Sequence, residues 1–151
     1  MTKIYYGKQN INSKDIREVS KALRQDLITT GKNVIKFEKK ISDFLKSRHA
    51  VSCNSGTAGL HLALLAIGLK KDDIIIMPAI NFIAVYNMSK LLGAKIFLAD
   101  VDPLTGQMTP DSLLHCIKIN KLKKIKAFVT MYLGGYPENS FEFYKIKKLY
   151  K

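Results

Sequence analysis

The sequence has two cysteines, few arginines, little acid and no long apolar run, and each shortage removes a class of protein. Cys53 and Cys116 fall in different predicted elements, with neither the dense pairing of a disulfide framework nor the spacing of a metal-binding motif. Two isolated thiols suit a reducing compartment. His49, His61 and His115 have no cysteine or carboxylate at ligand spacing, so no metal site is expected. The apolar stretches 62–67 and 74–77 fall far short of the roughly 20 residues that cross a bilayer, which argues against a membrane partner. Residues 1–10 carry lysines but neither an apolar h-region nor a small-residue cleavage site, so the expected address is cytoplasmic.

Against 12 acidic residues stand 25 lysines and arginines, a net charge of +13. A basic excess of this size can mark a nucleic-acid or anionic-membrane partner. Here the lysines are scattered along the chain, from Lys39 and Lys40 through Lys70, Lys71 and Lys90 to Lys145, Lys147 and Lys148, and no aromatic residues alternate with them as stacking platforms. Solvated helix faces explain that pattern, and no nucleic-acid partner is expected. With 47% hydrophobic and 25% charged residues the composition is that of an ordinary globular protein. A chain of 151 residues can form one domain with a substantial core, or a piece of a larger one.

Periodicity organises the chain into alternating elements. Asn12 and Ser13 precede Asp15 and a helical repeat of Ile16, Val19, Ala22 and Leu23, which predicts a capped helix ending near Gln25. Residues 27–31 read as a loop, with Gly31 placed to permit unusual backbone angles. A second helix from Val34 shows the apolar stripe Val34, Phe37, Ile41, Phe44 and Leu45. Then come a short β-rich run at 49–53, a helix at 57–67, a strand at 73–77 closed by Pro78, a helix at 82–91 and a strand at 95–99. A turn at 102–106 leads to a helix entered at Pro110, a strand at 125–131 and a final helix at 141–151. The strands are continuously apolar, which predicts an α/β domain with a mainly parallel sheet covered on both faces. The last helix reaches Lys151 with no C-cap glycine and no strand to return to, so a truncated chain, poorly stable or oligomeric alone, is the expectation.

Three places could carry chemistry. In Cys53-Asn54-Ser55-Gly56-Thr57-Ala58-Gly59-Leu60 a predicted strand end turns through small polar residues into a helix. Free N–H groups at such a helix start attract phosphate, Gly56 allows close approach, and Ser55 and Thr57 add hydroxyls. The ordinary alternative is a plain N-cap, for which the same residue types are favoured. Phe82 follows a strand at the edge where open α/β sheets bind ligands, and could stack on a flat ring or simply fill core. The Thr29-Thr30-Gly31 loop could contact a ligand or merely close a turn.

Taken in order, these pieces resemble the DegT/DnrJ/EryC1/StrS sugar aminotransferases of pyridoxal-phosphate fold type I. The resemblance spans nearly the whole chain. It runs from Tyr6-Gly7-Lys8-Gln9 and Leu27-Ile28-Thr29-Thr30-Gly31, through Phe37-Glu38 and Asn54-Ser55-Gly56-Thr57-Ala58-Gly59-Leu60-His61-Leu62, to residues 78–87, Asp100-Val101-Asp102-Pro103 and Gly134-Gly135-Tyr136-Pro137. It implies the N-terminal part of the large domain of a PLP-dependent aminotransferase, with residues 1–33 as an arm and substrate loop and residues 34–151 as a partial PLP-binding domain.

By that resemblance Ser55, Gly56 and Thr57 hold the phosphate of pyridoxal 5'-phosphate and Phe82 stacks on its ring. Tyr6, Ile28, Thr29, Thr30 and Gly31 line the site for a nucleotide-linked keto sugar at a homodimer interface. The implied reaction moves an amine from an amino-acid donor to a keto carbon of a 4-keto-6-deoxy sugar, in the branch that acts on UDP-linked N-acetylated sugars. Asn81 stands where the family has Thr or Ser, Val85 where it has Thr, and Tyr132 where it has His. The family's pyridine-nitrogen aspartate and Schiff-base lysine have no counterpart here, so the chain holds no catalytic residue by this match and is expected to be inactive as it stands. Sugar dehydratases of the same family, and a non-catalytic remnant or binding module, are the alternatives.

Overall fold

The computed structural model describes residue 5 and residues 7–150, and these divide into two compact units, one up to Ser52 and the other from Cys53. The first unit is two helices and their connections. Helix α1, Ser13–Ala22, starts at a capping box: the Asn12 side chain accepts from the N–H groups of Lys14 and Asp15, and Asp15 accepts the Asn12 N–H in return. It ends at Ala22, three residues before Gln25. Helix α2, Lys32–Leu45, ends where Lys46 turns left-handed. Neither helix buries a single residue, and Ile16, Val19, Phe37 and Phe44 stand open, Phe44 at 83% exposure.

The predicted β-rich run at 49–53 forms no strand. Among the described residues it pairs with no strand, and a side chain bonds it instead: Glu38 accepts both the backbone N–H and the hydroxyl of Ser52 at 2.8 Å. These two hydrogen bonds, the backbone one first, hold the Glu38 carboxyl below its ordinary 4.5.

The second unit is an α/β sandwich. Helix α3, Gly56–Ala66, precedes strand β1, Ile74–Pro78; helix α4, Ala84–Leu91, leads to strand β2, Lys95–Ala99; helix α5, Pro110–Ile119, leads to strand β3, Ala127–Phe128, followed by α6, Ser140–Leu149. The strands are all parallel in the order β2-β1-β3. Successive strand residues face opposite sides, and the two cores sort accordingly. Ile75 and Met77 of β1 pack with Leu64 of α3 and Val85 of α4 on one face. Ile76 and Ala99 pack with Leu113 and Cys116 of α5 and with Phe143 and Ile146 of α6 on the other.

Strand β3 is shorter than the predicted 125–131. It is paired on one side only, and the ladder with β1 covers just Ala127 and Phe128. Helix α5 begins at Thr109, whose hydroxyl accepts the Ser112 N–H at 3.1 Å, with Pro110 in the first turn where its missing N–H costs nothing. Asp102 closes the preceding turn by accepting the N–H groups of Leu104 and Thr105 at 2.9 Å.

Two buried positions should respond in opposite directions. Leu113, fully buried against Ile76, should lose about 2–5 kcal/mol on replacement by alanine. Ser89 is equally buried, but its hydroxyl has no partner among the described residues, so Ser89→Ala should leave the urea midpoint unchanged or raise it. A loss of more than about 2 kcal/mol in Ser89→Ala would contradict the account of that hydroxyl. For Glu38 the folded pKa lies below the unfolded one, so its contribution is present above the ordinary carboxylate range and lost as pH falls through the lowered value. The Ser52 amide resonance should therefore titrate with a midpoint below 4.5, and Glu38→Gln should abolish that titration.

Candidate functional site

Connection topology directs attention to the carboxyl end of β1. Helix α4, which follows β1, lies on one face of the sheet, whereas α5 and α6, which follow the flanking strands, lie on the other. The connections therefore diverge at β1, and an open α/β sheet forms its ligand crevice at such a point. Beyond Pro78 the chain turns through residues 79–81 to Phe82, with the Ala79 N–H tied to the Ala99 carbonyl at 2.8 Å.

Helix α3 brings its amino end to the same edge. It packs on the sheet and connects to β1 by a short reversal, so it runs against β1. Its 11 residues rise about 16 Å. The five residues of β1 span about 17 Å. The start of α3 is thus level with the end of β1.

That start is open. Ser55 is extended and caps α3 with its hydroxyl, which accepts the Ala58 N–H at 3.2 Å. The N–H groups of Gly56 and Thr57 have no acceptor among the described residues. Ser55 and Gly56 are exposed, Thr57 is half-buried, and a Cβ added at Gly56 would meet nothing within 4 Å. Two unpaired donors at the positive end of a helix, with free space in front of a residue that has no side chain, fit a phosphate group. Cys53 steadies the approach, its thiol donating to the Ser55 carbonyl at 3.2 Å.

Phe82 is 68% exposed and has no aromatic neighbour among the described residues, so it is not a core residue. Val85, one turn further on, is buried at 2% and belongs to the core. Asn81 turns inward, and its Nδ2 is buried with no partner among the described residues. Nothing in the sequence marks Asn81 beyond its being an amide where a hydroxyl is usual. Nor does spacing reveal the Glu38 clamp on Ser52, because it links residues 14 apart. Cys116 is no candidate nucleophile, since burial pushes its thiol up and away from the reactive thiolate.

The second predicted cluster lies in the first unit. Ile28, Thr29 and Thr30 are exposed and Gly31 is the residue before α2. Gly31 has φ −78°, an ordinary value, so the glycine is not there for unusual angles. A Cβ would collide with the Leu27 carbonyl oxygen, and that close approach is what demands glycine. Tyr6 lies outside the described residues.

Comparison with known proteins agrees with this reading of the fold. The chain is 37% identical over 98 residues to the UDP-4-amino-4,6-dideoxy-N-acetyl-beta-L-altrosamine transaminase of Campylobacter jejuni, covering 65% of this chain and 26% of that one. It is 40% identical over 107 residues to the GDP-perosamine synthase of Caulobacter vibrioides, covering 71% and 28%. Among solved structures, the aminotransferase from Psychrobacter cryohalolentis superposes with a TM-score of 0.84 at 25% identity, over 93% of this chain and 35% of that one. The chain thus spans between about a quarter and a third of the length of these relatives. A family model matches residues 9–149, nearly the whole sequence, and by that match the chain belongs to the DegT/DnrJ/EryC1/StrS aminotransferase family.

Proposed function

We propose that this chain forms part of a pyridoxal-phosphate-dependent aminotransferase acting on a nucleotide-linked 4-keto-6-deoxy sugar, with an amino acid as donor. The observation that carries the proposal is the open start of α3, where the N–H groups of Gly56 and Thr57 have no acceptor among the described residues and the space before Gly56 is clear. In this reading Ser55, Gly56 and Thr57 seat the phosphate, and Phe82 lies against the ring and excludes water from one side. The cofactor, when bound, supplies the electron sink that stores and releases the amine. What this chain contributes is anchoring and orientation, which together set the reacting carbon in place.

Residues 1–33 are proposed as an arm and substrate loop, with Tyr6, Ile28, Thr29, Thr30 and Gly31 toward the sugar nucleotide. Residues 34–151 are proposed as part of the cofactor domain. The net charge of +13 favours arrival of phosphorylated ligands. The open apolar residues of α1 and α2, none buried, support a homodimer that covers them. The names of the Campylobacter and Caulobacter relatives support a sugar-nucleotide substrate, and the former supports a UDP-linked one. Among the described residues no helix is long and apolar enough to cross a membrane, and the proposed setting is cytoplasmic.

The test is binding of pyridoxamine 5'-phosphate, with pyridoxamine as the phosphate-free control. Gly56 does not occupy the left-handed backbone region, so Gly56→Val should fold normally while its side chain fills the phosphate space. Calorimetry should show affinity for the phosphorylated compound falling about a hundredfold, ~2.7 kcal/mol, with the control unaffected. Equal affinity in the variant would remove the phosphate assignment.

A further inference from the structure

We infer that the edge of the second unit where its strands begin is a docking surface for an anionic lipid bilayer, held peripherally by lysines and a few exposed aliphatic residues. This goes beyond the cofactor reading and does not depend on it. The argument rests on where a parallel sheet puts its connections. Every strand of such a sheet is entered at the same edge, so each helix-to-strand connection emerges there, together with the last turn of the helix before it. Lys70 and Lys71 precede β1, Lys95 opens β2, and Lys123, Lys124 and Lys126 precede β3. The last turns of α4 and α5 add Lys90 and Lys118, and that of α6 adds Lys147 and Lys148. Lysines scattered along the sequence are gathered by the fold on one edge.

Contacts tie these connections into one surface. The Asp72 N–H donates to the Gly93 carbonyl at 2.9 Å, and a Cβ on Gly68 would meet the Lys126 ammonium at 3.7 Å. Tyr150, just after α6, lines one cleft with Lys118, Lys121 and Lys123. The carboxylates of these connections are Asp72, paired with Lys95 at 3.0 Å, and Asp73, which accepts the Lys70 N–H at 3.0 Å. Against so many lysines they leave the edge strongly positive. The opposite edge is the reverse: residues 79–83, 100–109 and 129–139 contain Asp100, Asp102 and Glu138 and no lysine or arginine. Helix dipoles favour cations in last turns and account for Lys90 and Lys118, but Lys123, Lys124 and Lys126 belong to no helix.

The chemistry of this edge favours a bilayer over other polyanions. Residues 53–151 contain no arginine, whose planar fork grips a single phosphate, whereas lysine is a point charge suited to diffuse attraction by many headgroups. Leu91, Ile119 and Leu149, the final residues of α4, α5 and α6, stand between 61% and 76% exposed beside those lysines. Aliphatic side chains among cations enter the boundary between headgroups and acyl chains, but they stack on no base and gain nothing from a nucleic-acid backbone. Docked by this edge, the unit keeps Phe82 and the start of α3, at the far end of the strands, open to solution.

Co-sedimentation of the chain with lipid vesicles tests this. It should bind vesicles of phosphatidylcholine with about 30% phosphatidylglycerol, not phosphatidylcholine alone, and be released as salt rises. Lys118→Gln, Lys123→Gln and Lys124→Gln together should lower the partition coefficient roughly a hundredfold. Lys32→Gln, Lys36→Gln and Lys40→Gln, the same loss of charge from the first unit, should lower it far less. Lys70→Gln with Lys126→Gln probes the edge independently, should the first set fail to fold, and should weaken binding in the same way. Leu91→Ser with Ile119→Ser should weaken vesicle binding about tenfold and leave binding to polyuridylate unchanged. No binding to the anionic vesicles overturns the inference. An equal loss in the two triple variants does so too, because net charge alone would then suffice. Full vesicle binding by the serine pair, or tighter capture by polyuridylate than by anionic vesicles at equal phosphate, makes the partner a soluble polyanion and also overturns it.

Discussion

Burial of β1 on both faces and both edges is the constraint from which the second unit follows. Ile75, Ile76 and Met77 are essentially inaccessible, and they point alternately into two separate cores. A strand so placed needs a partner on each edge to satisfy its backbone and a helix layer on each face to cover its side chains. Strands β2 and β3 supply the first requirement, and the pairs α3 with α4 and α5 with α6 supply the second. The divergence of connections at its carboxyl end, and with it the candidate site, is a consequence of β1 sitting in the middle.

The site is accordingly made from groups the fold leaves unused. A helix cannot pair its first N–H groups internally, so α3 must expose them, and Ser55 satisfies only the Ala58 donor. Gly56 keeps the space in front of them clear. Phe82 sits on a turn whose backbone is fixed by the bond from Ala79 to Ala99, while the aromatic ring remains outside the core. Rigid strands hold these groups, and the loops between strand and helix display them, which is the usual division of labour in α/β proteins.

The first unit has a different character. Helix α1 is capped by Asn12 and both helices are strongly amphipathic, yet no side chain in either is buried. The interactions that hold them are local: the Asn12 box, the Lys21–Glu18 and Lys39–Asp43 pairs on exposed faces, and the Glu38 clamp on Ser52. Exposed ion pairs of this kind contribute little, in the range of ~0–1 kcal/mol. Amphipathic helices without a core imply a surface that covers them, which is why a homodimer forms part of the proposed function.

Sequence by itself determined the elements whose signals are local. The cap at Asn12, Pro110 at the head of α5, the Asp102 turn and strand β2 at 95–99 are all legible from residues within a few positions of one another. So was the start of α3, because Ser55 is a favoured N-cap residue directly before an apolar helical run. Tertiary structure alone decided what depends on distant partners. The 49–53 run is β-rich but pairs with no strand among the described residues, and Glu38 of α2 bonds Ser52 instead. Strand β3 is two residues long because its ladder with β1 joins only Ala127 and Phe128. Gly31 is required by the nearness of the Leu27 carbonyl and not by its own torsion angles. Propensity is a property of a segment; pairing, burial and collision are properties of what the rest of the chain brings beside it.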